Sequence, residues 1–347
     1  MNPPLQESVV LVRARSRALA VGRVTLSASL PALLACAAAC GPATPAQEPT
    51  QPPADSAAPA PTPAPTPPTR ATPAVDTALG GRLFDKFYGK KPPFSTFVPD
   101  SPKTQGVLDG QGGPAGNGTL KLGSGEAMNN DAGHDYRLKN FFGWDLKGRE
   151  GIYGPSAMAK GYAVSRNLLG GRETQEELVA LFTKGDREIP AYGDALTPPQ
   201  IEAMAAFVIG VRDGALPHPD QIFTIKPPAQ GHYALLAGGD AARGKALIKE
   251  RCASCHGDDG TKMLFDDGAY SLGSHARQKA YEDWHKILNG QPGSPMGRQV
   301  RGSTGKEMAQ ELLDILAALC DRGAFPPGKA TAKDVEGGDG RCGAYLK

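Results

Sequence analysis

The sequence predicts an all-α protein made of short capped helices, and three observations carry that prediction. Apolar residues recur at helical spacing in several separate stretches, a capping residue stands directly before most of them, and glycine follows several. The 347 residues are too many for one small domain, and those after residue 75 suit about two.

The first element is a leader over residues 1–39. Arg13, Arg15, Arg17 and Arg23 precede an apolar run ending Leu33-Leu34-Ala35-Cys36-Ala37-Ala38-Ala39-Cys40-Gly41, the pattern of an export signal. The run is too interrupted to span a membrane. Small residues before a cysteine at the end of such a run resemble a bacterial lipoprotein signal, which makes Cys36 and Cys40 lipidation candidates. Residues 40–75 are an expected tether: 12 of the 32 prolines lie among Ala, Thr and Gln there, a composition that buries no core and stays extended. Together these predict a periplasmic, membrane-anchored lipoprotein. Without the leader's four arginines and Glu7 the chain is near neutral. It has no basic patch, so nucleic acid is excluded as a partner.

Residues 76–230 form the first predicted domain. Thr174 and Glu177 make a capping box for a helix with Leu178, Leu181 and Phe182, stopped near Gly185. After Ile189-Pro190-Ala191-Tyr192, the run Thr197-Pro198-Pro199-Gln200 starts another helix, with Ile201, Met204, Ala205, Val208 and Val211 on one face.

Residues 231–347 form the second. Asp240 is a candidate N-cap for a helix through Ala242, Ala246, Leu247 and Ile248. Tyr281–Asn289 reads as a short helix stopped by Gly290. Thr304 and Glu307 make a capping box before Met308, Leu312, Ile315, Leu316 and Leu319.

Between these helices stands Cys252-Ala253-Ser254-Cys255-His256, the spacing of a c-type haem attachment site. The two thiols add to the haem vinyl groups, and the imidazole beside them ligates iron. A zinc knuckle would need a second Cys/His pair at finger spacing, and none follows. A thioredoxin-like dithiol would need a βαβ setting, whereas Gly257-Asp258-Asp259-Gly260 comes next. Of the six cysteines this leaves Cys320 and Cys342, which in an oxidising compartment can pair and tie down the C-terminal tail.

Residues 238–323 resemble the class I cytochrome c domain, in which N- and C-terminal helices cross and a loop methionine ligates iron opposite the histidine. The resemblance implies thioether bonds at Cys252 and Cys255, His256 as proximal ligand and Met296, in Gln291-Pro292-Gly293-Ser294-Pro295-Met296-Gly297, as distal ligand. His275, His285, Met263 and Met308 are the rivals for that distal place.

A second correspondence lies upstream. Residues 136–148 align with 250–262 at a constant offset of 114: Arg137 matches Arg251, Gly143 matches Gly257 and Asp145 matches Asp259. Leu138, Phe141 and Phe142 stand where the thiols and imidazole would be. Gly143-Trp144-Asp145 and Gly148 make this region similar to the first domain of two-domain bacterial cytochromes c, here without its haem residues. The implied protein carries one haem c per chain. His134 nearby is a candidate to rescue a noncovalent haem there.

The expected function is one-electron transfer between redox protein partners in the periplasm or membrane. The competing classes are a haem subunit of a dehydrogenase or oxidase complex, a peroxidase-like enzyme, and a haem sensor with a labile distal ligand. No catalytic acid/base cluster stands out to support an enzyme, and the expectation is a carrier rather than a catalyst.

Overall fold

The computed structural model describes residues 75–87, 118–130, 137–154, 158, 164–225 and 233–347. Cys36, Cys40, the leader, the tether and His134 lie outside the described residues. The two predicted domains lie within one compact unit spanning residues 70–347. A single cluster of buried apolar side chains runs through it, from Leu83 and Phe84 to Leu319 and Phe325.

The architecture is mainly helical. Among the described residues the helices are α1 (Thr77–Asp85), α2 (Leu138–Phe142), α3 (Gln175–Lys184), α4 (Pro198–Arg212), α5 (Ala241–Arg251), α6 (Ala253–His256), α7 (Leu272–Asn289) and α8 (Gly305–Leu319). The all-α expectation omits two short antiparallel hairpins. In one, β1 (Gly118–Lys121) pairs with β2 (Ala127–Asn130), Leu120 opposite Met128. In the other, β3 (Phe223–Ile225) pairs with β4 (Tyr233–Leu235), Ile225 opposite Tyr233.

Two helix crossings organise the core, and both depend on glycine. The Asp76 carboxylate caps α1 by accepting from the N–H groups of Ala78 and Leu79, and Asp240 caps α5 through Ala242 and Arg243. Four residues after each cap comes a glycine. A Cβ on Gly80 would lie 1.9 Å from the Ala203 carbonyl oxygen of α4, and one on Gly244 would lie 1.9 Å from that of Asp314 in α8. Only a residue without a side chain lets the backbones approach so closely. The crossings α1/α4 and α5/α8 therefore share cap, spacing and contact. Sequence reading missed α1, which is short and separated from its partner helix by more than a hundred residues.

Helix α3 carries the expected capping box, Thr174 Oγ1 accepting from Glu177 N–H at 3.2 Å and the Glu177 carboxylate from Thr174 N–H at 2.8 Å. Gln200 Oε1 accepts from the Thr197 N–H (2.9 Å) at the start of α4. At α8 the box is altered: Thr304 accepts from Glu307 N–H, but the Glu307 carboxylate takes the N–H of Ser303. The chain between Asp240 and His256 is two helices, since Cys252 interrupts the run.

Helix α7 is twice the length expected for Tyr281–Asn289. Its first half is capped by Ser271, and Lys279 breaks the helical dihedrals at φ −136°, ψ 38°. The Tyr233 hydroxyl inserts there, accepting from Ala280 N–H and donating to the Gln278 carbonyl, both at 3.1 Å. An inserted group of this kind kinks a helix without ending it. The residues before the kink carry little apolar periodicity, so only the second half was visible in the sequence.

Candidate haem-attachment site

The candidate attachment residues Cys252, Cys255 and His256 occupy one short turn at the end of α5. The N–H groups of Cys255 and His256 both donate to the Cys252 carbonyl, at 3.1 and 2.9 Å. Gly257 then turns the chain at φ 82°, a left-handed conformation that favours glycine. The turn leaves Cys252 half-buried, Cys255 exposed and His256 buried. Both thiols are free rather than bonded to each other, and burial pushes the Cys252 thiol up to about 11.

His256 is suited to metal ligation. Burial lowers its pKa, so the ring is neutral, the form that donates a lone pair. Its Nδ1 is buried without a hydrogen-bond partner, and its ring lies 5.6 Å from that of Phe265. A buried neutral imidazole with an orphaned nitrogen, on the same turn as two free thiols, fits a covalently attached haem.

Met296 lies in the loop between α7 and α8, half-buried. Its carbonyl accepts from Gln291 N–H at 3.1 Å and its N–H donates to Ser294 Oγ at 3.1 Å, so its backbone is held from both sides. Gly290, at φ 92°, opens this loop; a Cβ there would sit 2.2 Å from the Met296 carbonyl oxygen.

The rivals for the distal place have other surroundings. His275 is buried with Nδ1 2.9 and 3.0 Å from the two carboxylate oxygens of Asp283. Burial opposes its charge, but Asp283 prevails and holds the pKa above the ordinary value. His285 is completely buried among aromatic rings: Trp144 at 5.2 Å, Phe207 at 5.5 Å, Trp284 at 5.8 Å and Phe84 at 6.1 Å. Neither of its ring nitrogens has a hydrogen-bond partner, and burial pushes its pKa down to about 3. Met308 is buried on α8 with the core, and Met263 is half-buried.

The upstream correspondence has a geometric counterpart. Gly143 ends α2 at φ 72°, ψ 165°, and Gly257 ends α6 at φ 82°, ψ 160°. Three residues on, Leu146 and Gly260 both have positive φ, 60° and 73°, and both donate back to those glycines' carbonyls. Asp145 accepts from the N–H two residues later, as Asp259 does. Leu138, Phe141 and Phe142 are all buried where the second segment has Cys252, Cys255 and His256.

Several residues that support the site were not read from the sequence. Arg251, half-buried and next to Cys252 in the chain, donates to the Gln299 carbonyl (2.9 Å) and to Glu311 of α8 (2.7 Å). Arg277 is fully buried and ties the Leu319 and Phe325 carbonyls to Asp334. Each pairing spans tens of residues, so no local pattern announces it. Cys320 and Cys342 are disulfide-bonded, with Cα atoms 5.9 Å apart, fastening the tail to the end of α8.

Among the described residues no helix is long and apolar enough to cross a membrane. No curated protein and no solved structure matches the chain significantly. The family described as Cytochrome c matches residues 241–316, from the start of α5 through the attachment turn and the Met296 loop into α8. That stretch is a cytochrome c-type domain, with the haem-binding, electron-transfer role of its family.

Proposed function

We propose that this chain is an extracytoplasmic electron carrier with one haem, tethered by Cys252 and Cys255 and ligated by His256 and Met296. The observation that carries the reading is the buried, neutral His256 on one turn with two free thiols, set against Leu138, Phe141 and Phe142 at the corresponding turn upstream. In this reading residues 76–230 are a degenerate cytochrome domain that has lost its haem. The repeated glycine crossings and matching turn dihedrals support that ancestry.

Haem would supply the one-electron couple. The protein's part is to hold it. His256 offers a lone pair without first losing a proton, since burial has already neutralised it. The thioether of Met296 would be the second protein ligand, and a haem held by two protein ligands would favour electron transfer over oxygen chemistry.

The test is haem stoichiometry on the full-length protein matured with excess haem. Pyridine haemochrome and iron content are each expected to give one haem per chain, and the reduced protein is expected to resist carbon monoxide. Two haems per chain would overturn the degenerate-domain reading. Ready carbon monoxide binding would replace the carrier with an open-site enzyme or sensor.

The leader and tether support a lipid anchor at Cys36 or Cys40, which would place the domain at a membrane surface among redox protein partners. Replacing both cysteines by serine is expected to move haem from the membrane fraction to the soluble one. Retention of the double variant in membranes would exclude the anchor.

A further inference from the structure

One face of α1 is turned toward the segment that carries Met296. Thr77, Gly81 and Asp85 recur every four residues, so they share a face. Asp85 pairs with Lys286 of α7. A Cβ on Gly81 would lie 2.1 Å from Cγ of the buried Asn289, so glycine is what admits that side chain. Arg82 Nη1 donates to the Asn289 carbonyl at 3.2 Å, at the last residue of α7. On the far side of the loop, Arg298 donates through Nη2 to Thr77 Oγ1 at 3.0 Å and through Nε to the Leu288 carbonyl at 2.8 Å.

The loop 290–297 is thus gripped at both ends by one helix of the upstream lobe. Within it, the Gln291 to Met296 and Met296 to Ser294 hydrogen bonds pass that restraint to the methionine backbone. We propose that Thr77 and Arg82 are positioning residues for the distal ligand, so that the lobe lacking the attachment motif acts as a clamp keeping Met296 on iron. The inference rests on Met296 being that ligand. Its physical basis is that an exogenous ligand replaces a methionine only when the loop swings away. Any hydrogen bond broken in that movement adds to the cost of displacement.

The experiment uses full-length haem-loaded protein and measures cyanide affinity of the oxidised form, together with the sulfur-to-iron charge-transfer band. Thr77→Val combined with Arg82→Ala removes both grips and is expected to tighten cyanide binding about tenfold and weaken the band. Thr77→Ser, which keeps the hydroxyl, is expected to behave as wild type. If the double variant does not fold, Thr77→Val alone serves, since it removes one hydrogen bond with almost no change in volume; about threefold is expected.

Cyanide affinity and band unchanged in the folded variant would overturn the clamp. A Met296→Ala control separates the two claims. Loss of the band in that control, with no response to the Thr77 and Arg82 changes, refutes the clamp alone. Survival of the band in Met296→Ala refutes the ligand assignment and the clamp with it.

Discussion

Replacing Phe142 by alanine is expected to destabilise the protein by about 3–5 kcal/mol, the cost of emptying a fully buried phenylalanine site. Phe142 stands at the position corresponding to His256. Its ring packs against Phe84 at 6.2 Å and Phe182 at 6.4 Å, and Phe84 in turn meets Phe207 at 5.8 Å. These rings belong to four different helices, α1, α2, α3 and α4, so removing one leaves a void that no single helix can close. If the upstream lobe has lost a haem, this aromatic cluster is what replaced the largest apolar body of its core. Urea unfolding of the full chain would measure the loss, with pyridine haemochrome on the same sample expected to stay at the wild-type value. A loss below about 1 kcal/mol would show that the ring is not a needed filler. A fall in haem content would tie Phe142 to the cofactor after all.

Acid is expected to weaken the fold through His285, by roughly 4 kcal/mol between pH 6.5 and 3. The folded pKa is about 3, depressed from 6.5 chiefly by burial, with Lys286 and Lys139 adding repulsion and Asp85 opposing it. Above pH 6.5 the ring is neutral in both folded and unfolded chains and contributes no pH dependence. Below it the unfolded chain takes up the proton first, so stability falls with pH until the folded ring also titrates near 3. His285→Phe keeps an aromatic ring in the cage and removes the titration. Its stability is expected to decline less steeply over that window, and the difference between the two curves isolates His285 from the acid response of Asp85. Parallel curves would mean that the ring is protonated, or solvated, in the native protein.

The two variants probe one junction from opposite sides. Phe84 touches both Phe142 and His285, so the cage around His285 is continuous with the aromatic core of the upstream lobe. That continuity gives α1 its place in the protein: its glycine face crosses α4, and its Thr77 face holds the loop of Met296.

What the sequence alone determined is what adjacent residues decide. Cys252, Cys255 and His256 lie within one turn, so their spacing alone predicts haem attachment before any folding is considered. The caps at Thr174 and Asp240 are likewise local, since each side chain accepts from backbone N–H groups within three residues, and at Thr197 the Gln200 side chain reaches back over the same distance. The offset of 114 was visible for the same reason, and matching dihedrals at Gly143 and Gly257 follow from matching local chemistry. Tertiary structure decided the rest. A glycine at position 80 or 244 reads as a weak point in a helix until a second helix is found lying across it. Ala280 needs the Tyr233 hydroxyl, 47 residues away, to survive a kink, and Arg298 needs Thr77, 221 residues away, to hold its loop. His285 reads as a rival ligand in the sequence and becomes an unpaired ring in an aromatic cage only when the distant Phe84, Trp144 and Phe207 close around it beside its neighbour Trp284. Such contacts join residues far apart in the chain, so only packing could reveal them.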